Sequence, residues 1–166
     1  GNVLVQTNQV LAAEEHFRQW SELFPNQENA AIGVIAVNNI RGNYSAALAA
    51  ANRFLQLEDN QEIRILQAFF NAKLGNLEEA KAAWQKIDQR LYNEPEVRGI
   101  SAHISLLERR PADALDDALV AYKANRSFDT LALLTRIYAA QDQRNKALML
   151  LEEHNASPEK DIRSLM

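Results

Sequence analysis

Five alanines form a ruler along this chain. Ala13, Ala47, Ala80, Ala114 and Ala147 are spaced 34, 33, 34 and 33 residues apart. Five places before the last four stand turn-forming candidates: Gly42, Gly75, Arg109 and Asp142. An apolar or aromatic stripe at helical spacing accompanies each alanine. Self-similarity at this period predicts stacked supersecondary units, each too small to bury its own apolar face. It moves the expected function from catalysis towards binding.

Helix-period stripes fill nearly the whole chain. Val10, Ala13, Phe17, Trp20 and Phe24 form one, stopped by Pro25-Asn26. Asn29 to Ile40 form the next, closed by Arg41-Gly42-Asn43, where glycine suits a left-handed helix end. Tyr44, Ala47, Ala51, Phe54 and Leu57 follow, ending at Glu58-Asp59-Asn60. Ile63 to Leu74 close on Gly75-Asn76. Leu77, Ala80, Trp84, Ile87 and Leu91 predict a helix running to Tyr92-Asn93. Pro95 to Glu108 make another, with proline tolerated in its first turn. Pro111 opens the stripe of Ala114, Ala118, Ala121 and Tyr122, which ends at Asn125. Phe128 to Ala140 and Arg144 to Glu153 follow. Ser157-Pro158 predicts a new N-cap before Ile162, Leu165 and Met166. Each unit is thus two antiparallel helices joined by a short turn.

Composition narrows the function classes. Glycine (5) and proline (4) are scarce among 166 residues, which favours helix. The net charge of −4 opposes a general nucleic-acid surface, which needs clustered Lys and Arg. With no cysteine there is no disulfide framework, thiolate zinc site or cysteine nucleophile. No apolar run reaches the ~18 residues of a membrane span.

The grammar resembles the tetratricopeptide repeat (TPR), whose 34-residue pattern runs W-x2-L-G-x2-Y, then A-x3-F, then P. The last full unit carries Leu131, Leu134-Thr135 and Tyr138 in the first-helix slots, then Ala147 and Leu151. The first carries Ala13, Phe17 and Pro25. The third has Ala68, Gly75-Asn76-Leu77, Ala80 and Trp84. The second has Gly42-Asn43-Tyr44 and Ala47, with Ala51 in the aromatic slot. The fourth departs most, with Arg109-Arg110-Pro111 at the turn, then Ala114 and Ala118. The T-P-L-H-x-A signature of ankyrin repeats is absent.

The resemblance implies an all-α fold: a right-handed α-α superhelix of antiparallel helix hairpins. Its register implies a single array over residues 1–166, with units at about 1–27, 28–60, 61–94, 95–127 and 128–158. A further or capping helix would start over 159–166. Counting back from Ala13, the first unit would begin before Gly1, so Asn2 to Thr7 are expected to be only the end of its first helix, with a break before the stripe that starts at Val10. That expectation leaves apolar surface open at the N-terminal end, where a second copy of the chain could dock. It also makes the chain a segment of a larger bacterial protein, periplasmic or cytoplasmic.

Chemistry-bearing residues are sparse. His16, His103 and His154 show no recognised metal-ligand spacing. Glu14-Glu15, Glu78-Glu79, Asp116-Asp117 and Glu152-Glu153 fall on solvated faces or helix starts, not in the clefts that acid-base work requires. No nucleophile elbow, Walker or dinucleotide glycine pattern occurs. No cofactor, metal or catalytic residue is therefore expected.

The first helix of each TPR hairpin lines the family's concave face. Carried over by register, the candidate partner-binding residues are Ile32, Ala36 and Asn39, then Ile65, Phe69, Ala72 and Lys73. His103 and Leu106 follow, then Arg136 and Ala139. The strip is apolar with basic or potentially basic groups at Lys73, His103 and Arg136, and it suits an extended peptide of some acidic character. An equal alternative makes Ile65, Phe69 and Leu106 inter-helix core. The family's carboxylate clamp is absent, because its slots hold residues such as Ile32, Ala36, Leu66, Glu96 and Ile100. The expected function is a non-catalytic scaffold that binds a protein or peptide. The alternative is a structural spacer in a bacterial export or secretion complex, with its groove empty.

Overall fold

The computed structural model describes residues 2–156, with side chains from Asn8 onward. The expected N-cap at Ser157-Pro158 and the helix after it lie outside the described residues, as do the side chains of Val3, Leu4 and Val5. Every regular element among the described residues is helical. The α-helices are α1 (Asn2–Leu23), α2 (Glu28–Ile40), α3 (Tyr44–Leu55), α4 (Gln61–Leu74) and α5 (Leu77–Gln85). After a short 3-10 turn at Gln89–Leu91 come α6 (Pro95–Leu107), α7 (Pro111–Ala124), α8 (Phe128–Ala140) and α9 (Arg144–Ala156).

The four turns of the ruler share one geometry. Gly42, Gly75, Arg109 and Asp142 have φ of 71°, 79°, 60° and 57°. The amide after each reaches back to a carbonyl five residues earlier. Asn43 N–H donates to Asn38 at 2.8 Å, Asn76 to Asn71 at 2.9 Å, Arg110 to Ser105 at 2.8 Å and Gln143 to Tyr138 at 2.8 Å. This is the Schellman closure, which satisfies carbonyls that a helix end otherwise leaves bare. It turns each helix sharply into the next. Five residues on, Ala47, Ala80, Ala114 and Ala147 are all buried. Their small side chains let the paired helices approach closely.

The chain divides into two compact units between Asp88 and Gln89. In the first, α1 to α5 pack in sequence order. Its core joins Ile35, Ala47, Ala51, Phe54, Ile63 and Phe70. Side-chain caps set two of the helix starts: Asn43 accepts from the Ala46 amide and Asn60 from the Ile63 amide. In the second unit, α6 to α9 pack in the same way. Its core joins Ala102, Ala118, Tyr122, Leu131, Leu134 and Ile137. Arg98 of α6 donates to Asp117 of α7 at 2.7 Å, linking the two helices of one hairpin.

Two elements differ from the sequence reading. α1 is one unbroken helix of 22 residues, where an interruption before Val10 was expected. Gln6-Thr7-Asn8-Gln9 offers neither a proline nor a glycine, so nothing stops propagation. α5 is short at 9 residues, although the stripe continued to Leu91. The chain leaves the helix after Gln85, and the Ile87 amide donates to the Trp84 carbonyl. The Asp88 amide is taken up by the Gln61 side chain of α4 at 2.8 Å. This exit turns Ile87 into the core, and Trp84 is left half-buried.

Candidate functional site

In the first unit, α2 and α4 carry the expected strip. Ala36 is exposed, and Ile32, Asn39, Ile65, Phe69 and Lys73 are half-buried. Ala72 is 2% exposed and belongs to the interior. Ile32 and Phe69 also pack against the unit's core. The binding and core readings of these residues therefore overlap: the strip is the outer rim of the core.

Lys73 gives this rim its chemical character. Its ammonium lies 5.0 Å from the ring centre of Tyr44 and 5.8 Å from that of Phe69. Phe69 meets Phe70 edge-on at 5.2 Å, and Tyr44 stacks on Phe70 at 6.1 Å. The aromatic quadrupoles favour a cation in this position. Tyr44 was missing from the sequence-derived strip because it opens α3, a second helix of a hairpin. The Schellman turn at Gly42 brings it back beside α4. Its place directly after that turn was the available signal.

In the second unit, His103 is 8% exposed and lies in the interior of α6. Leu106 is half-buried against the unit's core. Arg136 and Ala139 of α8 are exposed. The strip positions of this unit thus offer one exposed arginine and one exposed alanine.

Elsewhere, several charged groups form local pairs. Arg18 holds Glu15 and Glu22, each at 2.8 Å. Hydrogen bonds from Arg18 and then Gln19 hold the Glu15 carboxyl below its ordinary value. Arg110, bonded to Glu108 and Asp113, is raised above its usual value. These are surface pairs within single elements or turns. Among the described residues no cluster of three His, Cys, Asp or Glu side chains could hold a metal. Among the same residues no helix is long and apolar enough to cross a membrane.

Among solved structures, the chain is similar to the crystal structure of MamA, a TPR-type helical solenoid. The TM-score is 0.61 over 95% of this chain and 94% of that one, at 12% identity. The fold is a TPR-type solenoid. No protein-family model and no curated protein matches the chain. The solenoid assignment thus rests on three-dimensional likeness and on the repeated hairpin geometry.

Proposed function

We propose that this solenoid is a non-catalytic scaffold that binds a protein or peptide partner. The contact is the strip of α2 and α4 in the first unit. The observation that carries the reading is Lys73 set against Tyr44 and Phe69, with Ile32, Ala36 and Asn39 alongside on α2. An extended segment with an apolar side chain against Phe69 and a carboxylate near Lys73 meets both chemistries. Aromatic anchors that become fully desolvated on binding are where binding energy concentrates, and a ligand seated on half-buried Phe69 would complete its desolvation. Arg136 and Ala139 provide a separate exposed patch in the second unit.

A spacer role is the second reading. It is favoured by Leu148 and Met149 of α9, which are 58% and 60% exposed. Such a face suits stacking against another helix better than contact with water.

Selection from a random 12-residue peptide display library distinguishes the two. The full chain is the bait, and the Phe69→Ser/Lys73→Glu variant is used for counter-selection. The binding reading expects acidic peptides with one large apolar residue, each binding the variant at least ~30-fold more weakly. Enriched peptides that bind wild type and variant equally, or no enrichment at all, would leave the spacer reading.

A further inference from the structure

A second face of the first unit holds a small cavity of about 60 Å³, formed where α1, α2 and α3 meet. Its apolar wall includes Val34, Ala50 and Phe54, and its rim includes Arg18, Ser21 and Arg53. Val34 sits two residues from both Ile32 and Ala36, which puts it roughly on the other side of α2 from the strip. The cavity is therefore a separate site and stands without the peptide-binding proposal.

Its two arginines differ. Arg18 is tied to Glu15 and Glu22 on its own helix, so its charge is compensated. Among the described residues no hydrogen bond or ion pair engages the Arg53 side chain. The Ser21 hydroxyl likewise has no hydrogen-bond partner there. A water needs roughly 10 to 15 Å³ of such space, so the cavity takes about four to six water-sized groups. That matches a carboxylate on a stem of one to three carbons. Arg53 supplies planar donors for the carboxylate, Ser21 a further donor, and the wall receives the stem.

We propose that this cavity binds a carboxylate carried on a short apolar stem. The group could belong to a free short-chain acid or to the C-terminal residue of a peptide. Phosphate fits less well, because a tetrahedral dianion would have to desolvate against Val34, Ala50 and Phe54.

The test uses the full chain in low salt, with amide and arginine side-chain NMR signals followed during titration. Isobutyrate is the probe, and isobutyramide and phosphate are the comparisons. The expected result is saturable shifts at Ser21, Val34, Ala50 and the Arg53 Nε–H with isobutyrate only. Arg53→Gln should weaken binding roughly tenfold while the thermal midpoint stays unchanged. A second variant, Ala50→Leu, fills the cavity and should abolish the shifts. A peptide ending in alanine, with a free or amidated carboxyl, separates the sources. Tighter binding of the free-ended peptide than of isobutyrate assigns a chain end, and equal or weaker binding assigns a small acid. Equal shifts with isobutyramide, tighter binding of phosphate, or binding unchanged in Arg53→Gln overturns the proposal.

Discussion

The ring of Phe17 on α1 lies directly against the α-carbon of Gly33 on α2. A β-carbon built on Gly33 would meet the ring at 2.2 Å. Glycine here is a packing requirement, because the helix itself would prefer alanine by about 1 kcal/mol. Gly33→Ala is therefore expected to destabilise the first unit by about 1 to 2 kcal/mol, with overpacking outweighing helix propensity. In a Phe17→Ala background the same change should be neutral or stabilising. Urea unfolding of the four proteins in this cycle checks the coupling. Additive effects would contradict the contact.

The left-handed turns differ in strain. Gly42 and Gly75 occupy their positive φ without penalty, whereas Arg109 does so at 60° with a full side chain. Arg109→Gly should stabilise the second unit by up to about 1 kcal/mol, and Gly75→Ala should destabilise the first by a similar amount. Asp142→Gly should gain less, because aspartate tolerates this region better. Thermal midpoints report the order, and a loss of stability in Arg109→Gly would contradict the turn geometry.

Two aromatics of the first unit should respond unequally. Phe70 is fully buried, and Phe70→Ala should cost about 3 to 5 kcal/mol. Trp84, the expected large-residue slot, is only half-buried. Trp84→Ala should cost less, about 1 to 3 kcal/mol. Equal urea midpoints for the two variants would contradict the early exit of the chain from α5.

How far the sequence revealed this structure depends on the type of signal. The turns were legible at Gly42 and Gly75 because glycine announces a left-handed residue. At Arg109 the spacing and the nearby Pro111 marked the turn, and at Asp142 the 33-residue spacing alone did. The end of α5 was not legible. Ile87 and Leu91 continue the helical stripe, and the group that takes up the Asp88 amide, Gln61, lies 27 residues away. The strip was legible by register, yet burial of Ala72 and His103 is set by packing that periodicity does not encode. Tyr44 was legible as an aromatic after a turn, but its place beside Lys73 was not. Arg53 carried no sequence signal, because its significance is the cavity it borders.

The pair on α1 carries a pH signature. The Glu15 carboxyl lies below its reference value of 4.5 because Arg18 and Gln19 bond its charged form. A carboxylate with a depressed folded pKa contributes stability above the unfolded value and loses it as pH falls through the folded one. Carboxyl NMR titration should place Glu15 below 4.5, and Arg18→Gln should move it back upward. An unchanged midpoint in that variant would contradict the pairing.

The central claim is that a partner lies along α2 and α4 of the first unit. Hydrogen-deuterium exchange of the full chain, with and without a display-selected acidic peptide, tests it most directly. Side chains that contact a ligand slow opening of the helix turns that bear them. The account predicts added protection in the peptides covering residues 32–39 and 65–73, with little change in α9. Protection confined to α9, or protection that persists in the Phe69→Ser/Lys73→Glu variant, would contradict it.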